Sequence, residues 1–183
     1  LEAAKTADFD YEFIDNDSED ISRLEGYLFP DTYEFYVGHD PEGALGKLLS
    51  NFERKMNEDR LAQVEASGYS LEEIITIASL IEKETDSIYN RMDTPSYETA
   101  GLLQIDASLL YALPDHGGAI TNEDKAVDSP YNLYKYKGLP PTPIANPGEA
   151  AIDAALYPSS SDYYYYALGK DGKHHFSKTL AEH

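Results

Sequence analysis

The sequence predicts an α+β fold, with a helical core and small β elements that include a C-terminal hairpin. Two patterns indicate this class. Apolar residues recur at helical spacing through the middle of the chain, between residues 41 and 85, and tyrosine-rich runs flank a glycine-containing turn near its end. Hydrophobic residues make up 42% of the 183 residues, which is typical of one globular domain with a buried core.

Three helices are predicted in the middle of the chain, and each has a capping signal. Asp40 followed by Pro41 begins the first, because aspartate accepts hydrogen bonds from free N–H groups and proline suits the first helical position. Gly68 ends the second, since glycine readily adopts a left-handed conformation. Ser70 and Glu73 form a capping box that opens the third helix, which is expected to extend to residue 85.

The start of the chain differs from this helical middle. Residues 1–23 are polar and acidic and are expected to be the tail of an upstream region or a linker, so that the main domain spans residues 24–183. The chain begins at Leu1 without methionine, and we expect a targeting segment upstream of it. Four side chains of the following aromatic stretch are expected to pack against the core: Leu28, Phe29, Tyr33 and Phe35.

The second half of the chain carries shorter predicted elements. Residues 102–113 are apolar enough to be mostly buried. Asn146 and Pro147 are expected to cap a helix over residues 148–157. The predicted hairpin consists of strands over residues 163–168 and 174–177, with turn chemistry at Asp171 and Gly172.

Composition excludes several classes of partner and site. The formal net charge is -20, from 34 acidic and 14 basic residues, so the surface would repel nucleic acid and anionic lipid headgroups. There is no cysteine, which removes disulfides and thiolate metal sites. No apolar run approaches the roughly 20 residues of a membrane helix.

Two carboxylates end the most apolar of the predicted helices, in the sequence ASLIEKETD. At 100° per residue, Glu82 and Glu84 fall on opposite edges of the apolar stripe, and Lys83 points away from it. One interpretation is that both are boundary residues with water on one side. The other is that one of them is desolvated and serves as a general acid, and periodicity does not choose between them.

The histidines do not form a predicted metal site. His39 and His116 are separate loop residues, while His174 and His175 are adjacent and face opposite sides of a strand. One of that pair is expected to point into a site, without zinc. The serines also lack the G-x-S-x-G setting of a hydrolase triad.

A tyrosine series near residue 134 allows two interpretations. Tyr131, Asn132, Tyr134 and Tyr136 alternate aromatic and polar side chains, and the last two tyrosines would share a face if the segment were extended. The series is then either a packed turn or one wall of a groove that stacks on sugar rings.

Six stretches of the sequence together resemble one known family, the MltG (YceG-like) endolytic murein transglycosylases. They are EGYLFPDTY, ASLIEKET, LQIDASLLYAL, DSPYNLYKYKGLPPTPIANPG, AALYP and YYYYALGKDGKHHFSKTLAEH, in the order of the family, between about residues 24 and 183. The resemblance implies endolytic cleavage between N-acetylmuramic acid and N-acetylglucosamine in peptidoglycan, which leaves 1,6-anhydromuramoyl ends. It implies no cofactor.

The same resemblance implies roles for particular residues. The E-K-E-T match places the catalytic glutamate of the family at Glu84. The substrate-binding candidates are Glu82, Gln104, Asp106, Tyr131, Asn132, Tyr134, Tyr136 and His175. The expected partners are glycan strands and cell-wall synthesis proteins. The expected location is the outer face of a bacterial cell membrane, reached through an upstream anchor.

Two departures from the family pattern stand out. Only three residues separate Thr85 from the YNR motif that begins at Tyr89, where the family has a longer helical stretch, either by deletion or because residues are missing from the chain. Thr142 follows the GLPP motif where glycine is expected, which would restrict the backbone at a positive φ.

Two further functions compete with the transglycosylase hypothesis. A peptidoglycan-binding or scaffold module would keep the groove without turnover, as the short segment after Thr85 suggests. A pyridoxal-phosphate-dependent aminodeoxychorismate lyase, an older label in the family, would need a Schiff-base lysine and a phosphate cradle. Lys83 points off the apolar face, and no glycine-rich cradle is evident.

Overall fold

Helices account for most of the regular structure. The computed structural model describes residues 1–84, 88–93, 99–159, 162–168 and 174–182. In chain order the elements are α1 (Glu2–Thr6), a 3-10 turn (Ile21–Leu24), α2 (Pro41–Lys55), α3 (Glu58–Ser67), α4 (Leu71–Lys83), α5 (Ile88–Asp93), α6 (Asp106–Tyr111), a second 3-10 turn (Asp124–Ala126), α7 (Glu149–Leu156), β1 (Tyr165–Leu168) and β2 (His174–Ser177).

The three predicted helix boundaries are confirmed. The Asp40 carboxylate accepts a hydrogen bond from the Gly43 N–H at 3.0 Å, which caps α2. Gly68 ends α3 in the left-handed conformation, with φ 78°. Ser70 and Glu73 exchange the two reciprocal bonds of a capping box at the start of α4.

Helix α4 forms the centre of the core. Its residues 74–80 are all buried, and the helix packs mainly against α7. The polar side chain of Ser79 within this run is satisfied locally: its hydroxyl donates to the Thr76 carbonyl at 2.7 Å and accepts from the Ile144 N–H at 3.0 Å. The helix therefore positions its C-terminal carboxylates on a rigid, fully packed support.

The first 23 residues pack against the same core. Ala4, Phe9 and Ile14 are buried members of it. The Arg23 guanidinium, itself buried, donates to the backbone carbonyls of Ala4, at 3.0 Å, and of Ala7. Among the aromatic residues that follow, Phe29 is buried as expected, but Phe35 is 45% exposed, so its predicted core position is wrong. Phe35 instead packs against the solvent-facing ring of His39 and the Lys47 ammonium.

Two motifs that are distant in sequence meet through Gly26 and Asn146. The Asn146 side-chain oxygen accepts hydrogen bonds from the N–H groups of Gly26 (2.9 Å) and Leu28 (3.1 Å). The predicted capping of α7 by Asn146 is therefore wrong, because its side chain is committed to this loop. The N-cap position of α7 is Gly148.

The end of the chain contains two short antiparallel strands. β1 pairs with β2 in a register that places Tyr165 opposite Ser177 and Leu168 opposite His174. The turn predicted at residues 171–172 lies outside the described residues. A mixed helical fold is thus confirmed, and within the described ranges no helix is long and apolar enough to span a bilayer.

Candidate active site

Glu84 lies at the point where α4 stops being helical. Its backbone dihedrals, φ -133° and ψ -110°, depart from the helix, while its N–H still donates to the carbonyls of Leu80 (3.0 Å) and Ile81 (3.2 Å). The side chain is half-buried. Helix α4 was predicted to continue to Thr85, which lies outside the described residues. These backbone bonds fix the position of the Glu84 Cα, and so of its side chain, at the end of a packed helix.

The Glu82 side chain forms a hydrogen bond with the start of helix α7. Its side chain is exposed, and its Oε2 accepts a hydrogen bond from the Gly148 N–H at 3.1 Å. Gly148 is the N-cap residue of α7, whose first N–H groups have no partner within the helix. The carboxylate therefore caps α7, and its negative charge favours the positive end of that helix dipole.

We expect this cap to contribute to stability. Glu82→Ala removes the acceptor and should lower the free energy of unfolding by about 0.5–1 kcal/mol. Glu82→Gln keeps a side-chain oxygen for the Gly148 N–H and should cost less than half of that amount. Urea denaturation of the two variants measures the difference, and equal losses would contradict the capping role.

Arg91 is a buried cation near Glu84 that sequence reasoning left without a role. Arg91 is 8% exposed. Its guanidinium donates hydrogen bonds to the Leu103 carbonyl and, at 2.7 Å, to the Tyr164 carbonyl. It also lies 5.6 Å from the centre of the Tyr165 ring. Burial lowers the pKa of Arg91, and the negative charge of Glu84 is among the groups that oppose this shift. The YNR motif was its only signal in the sequence.

Tyr134 joins two of the candidate polar groups. Its hydroxyl donates a short hydrogen bond to Oδ1 of Asp106, at the start of α6. Burial, followed by the bond to Asp106 and the charges of Asp106 and Glu84, raises the pKa of Tyr134, so the phenol remains protonated. The Lys125 ammonium lies 4.2 Å from the centre of the Tyr134 ring, a contact that no sequence pattern indicated.

Gln104 has a strained backbone beside this cluster. Its φ is 54°, in the left-handed region that residues with a side chain rarely adopt, and its N–H donates to the Leu133 carbonyl at 3.0 Å. Such conformations concentrate at functional sites because the surrounding structure must enforce them. Leu133 immediately precedes Tyr134, so this bond joins the strained backbone of Gln104 to the segment that carries the tyrosine series.

The tyrosine series forms a packed turn, the first of the two interpretations. Asn132 is fully buried, and its side-chain amide donates to the carbonyls of Lys125 (3.0 Å) and Val127 (2.8 Å). Its oxygen accepts from the Tyr134 N–H at 3.1 Å. This geometry makes Asn132 a support for Tyr134 and leaves no free side-chain group for a ligand.

Tyr131 and Tyr136 diverge from Tyr134 within that turn. The Tyr131 hydroxyl is 2.7 Å from the Thr142 hydroxyl, whereas Tyr136 donates to Asp128 and is 41% exposed. The shared face expected for Tyr134 and Tyr136 in an extended segment is therefore absent from this part of the described chain. The backbone of Thr142 does not have a positive φ, so the residue that replaces the expected glycine is accommodated without strain.

The histidines occupy separate places. His175 lies on β2 opposite Ala167, with an exposed side chain. His116 was predicted to be isolated but pairs with Asp124, at 3.0 Å between Nε2 and Oδ2. Across the described ranges, no three metal-ligating side chains come together.

The arrangement around Glu84 suits acid–base chemistry on a neutral polar ligand. One half-buried carboxylate lies within electrostatic reach of a buried arginine and of a protonated phenol that is bonded to Asp106. A group held at the boundary of the core can exchange a proton with a ligand.

Comparison with known proteins is consistent across sequence and structure. The sequence model of the YceG-like family matches residues 2–183. An endolytic murein transglycosylase of Bacillus subtilis is 38% identical over 168 residues, which cover 87% of this chain and 46% of the relative. One from Streptococcus pneumoniae is 31% identical over 179 residues, which cover 88% of this chain and 31% of the relative.

A solved structure shows the same fold. The crystal structure of a YceG-like protein from Listeria monocytogenes matches with a TM-score of 0.76 and 37% identity, over 87% of this chain and 54% of that one. The chain spans less than half of the length of the two curated relatives.

Proposed function

The chain belongs to the YceG-like family, and from this premise we propose that it is the catalytic part of an endolytic murein transglycosylase. Its substrate is the glycan strand of peptidoglycan, cleaved between N-acetylmuramic acid and N-acetylglucosamine within the strand. The names of the curated relatives support this activity. The proposed location is the extracytoplasmic face of a bacterial membrane, close to the proteins that synthesise the wall.

One carboxylate, Glu84, is sufficient for the proposed reaction. In its protonated form it donates a proton to the glycosidic oxygen, and the bond from that oxygen to the anomeric carbon of the muramoyl sugar breaks. The 6-hydroxyl oxygen of the same sugar then bonds to the anomeric carbon and returns its proton to the carboxylate. No water is consumed, so the second carboxylate that an ordinary glycosidase requires is unnecessary.

The observation that carries this proposal is the position of Glu84 relative to Glu82. The two carboxylates could not be separated by periodicity, but the side chain of Glu82 is bound to the N-terminus of α7. Glu84 is half-buried, and its charge acts on Arg91 and Tyr134. Its half-burial and these two charged or polar neighbours support Glu84 as the working acid.

The experiment is digestion of isolated sacculi. We expect the protein to release soluble muropeptides that carry 1,6-anhydromuramoyl ends, detected by mass spectrometry, from the interior of strands as well as from their ends. A binding or scaffold module, which is the competing hypothesis, would sediment with the sacculi and release nothing. That outcome would contradict the proposed activity.

Tyr134 is proposed to position the substrate through its hydroxyl. Tyr134→Phe keeps the ring against Lys125 and removes the bond to Asp106, so we expect a loss of about tenfold in turnover with little change in melting temperature. Tyr33→Phe removes a tyrosine hydroxyl bond at a residue outside the candidate site, to the Phe29 carbonyl, and is the matched control. Equal rates for the two variants would exclude this role for Tyr134.

A further inference from the structure

A cavity of about 640 Å³ lies at the N-terminal end of α4. Glu84 lies at the opposite end of this 13-residue helix, about 20 Å away at 1.5 Å per residue. The cavity floor is aromatic: Phe13, Tyr27 and Phe52 pack against one another with ring centres 4.9–5.2 Å apart. The reaction proposed at Glu84 does not involve this cavity.

The rim of the cavity is acidic. Among the described residues, its lining includes four carboxylates and no lysine, arginine or histidine; the carboxylates are Glu12, Asp15, Glu53 and Glu72. Negative side chains around an apolar floor favour a ligand that combines a positive charge with an aliphatic stem, because aromatic faces attract cations and carboxylates bind ammonium groups.

An unpartnered hydroxyl in this cavity independently indicates a ligand. Tyr27 is 6% exposed and lines the cavity, and among the described residues no protein group forms a hydrogen bond with its hydroxyl, whose oxygen is not fully buried. Burial and the charge of Glu72 raise the pKa of Tyr27 to about 12, so the group remains a neutral phenol. The oxygen of this phenol is therefore available to accept a hydrogen bond from a ligand N–H.

A second, smaller cavity adjoins the acidic cavity and reaches the loop beside the tyrosine series. Phe13, Asp15, Tyr27 and Glu72 also line a space of about 220 Å³ that extends to Thr142 and Pro143. The Thr142 hydroxyl in turn lies 2.7 Å from the hydroxyl of Tyr131. The shared lining residues place the smaller cavity directly between the acidic cavity and this loop.

We propose that the acidic cavity binds the primary ammonium group of the peptide stem of peptidoglycan, at the residue whose side chain carries an amine. The aliphatic part of that side chain lies on the aromatic floor, and its ammonium group reaches Glu72 and the Tyr27 hydroxyl. A short peptide with a side chain of the length of lysine can span the distance of about 20 Å between Glu84 and this cavity. The choice of a peptidoglycan stem as the ligand rests on the proposed function.

The test is a titration of the protein with free, lysine-containing stem peptide, followed by calorimetry. This ligand has no glycosidic bond, so its binding is measured independently of whether the protein cleaves glycan. We expect binding that is at least about tenfold weaker when the lysine amine is acetylated, since the charge-assisted bonds are then lost. Equal binding of the acetylated peptide would overturn the proposal.

Variants locate the binding. Glu72→Gln and Tyr27→Phe should each weaken binding by about five- to tenfold, while Glu65→Gln, at an exposed position on α3, should bind as the unmodified protein does. Melting temperatures confirm that each variant is folded. Unchanged binding in both cavity variants would exclude this cavity. A lysine-containing peptide of unrelated sequence that binds as tightly as the stem would exclude stem recognition.

Discussion

Glu84→Gln should lower the release of anhydromuropeptides by at least about 10³-fold, because general acid–base catalysis supplies a factor of this order and one group performs both proton transfers. Glutamine has nearly the same shape as glutamate but carries no exchangeable acidic proton. The backbone bonds that hold residue 84, to the carbonyls of Leu80 and Ile81, remain available. The variant should therefore melt at the temperature of the unmodified protein and still sediment with sacculi.

The matched control for this variant is Glu65→Gln, which neutralises an exposed glutamate on α3. It makes the same change in net charge and should leave the rate unchanged. Measured together by quantitative mass spectrometry, the two rates separate a specific role of Glu84 from a general effect of charge. Full activity of Glu84→Gln would remove Glu84 from the mechanism.

Gly26→Ala should be the most destabilising of the proposed substitutions outside the candidate site. Gly26 has φ +90°, and a methyl group there would lie 2.6 Å from the Cγ of Pro143 and 2.7 Å from the Cγ2 of Ile75. One neighbour is a rigid ring and the other belongs to the fully buried face of α4. We expect a loss of about 3 kcal/mol in the free energy of unfolding, from strain and overpacking together.

Gly38→Ala separates these two contributions. Gly38 has nearly the same dihedral, φ +85°, but no atom lies within 4 Å of the position of an added methyl group. Its cost should be about 1 kcal/mol, from the left-handed conformation alone. Equal losses in urea denaturation of the two variants would show that the contact with Pro143 and Ile75 is unimportant.

Local chemistry made much of the fold predictable. The caps of α2, α3 and α4 depend on residues within four positions of each other, such as Ser70 and Glu73, so a short sequence window contains all the partners. The same short window led to the wrong prediction that Asn146 caps α7. Its bonds go to Gly26 and Leu28, more than 100 positions earlier, and no local pattern identifies that competition.

The sequence was sufficient to propose acid–base candidates for the site, but it did not identify the groups that support them. Helical spacing placed Glu82 and Glu84 at opposite edges of the apolar stripe of α4, and only the folded chain shows that Glu82 accepts a bond from the distant Gly148. Arg91 is held by the carbonyls of Leu103 and Tyr164, which tertiary packing brings to it. A backbone carbonyl carries no sequence signal, so such anchors are seen only in the folded chain.

The measurement that tests the central claim most directly is digestion of peptidoglycan in water enriched in heavy oxygen. Intramolecular attack by the 6-hydroxyl consumes no water. We therefore predict that the new muramoyl ends are 1,6-anhydro sugars, lighter by one water than hydrolysis products, and free of heavy oxygen. Reducing muramoyl ends that carry the heavy isotope would show that water is the nucleophile and would contradict the single-carboxylate mechanism at Glu84.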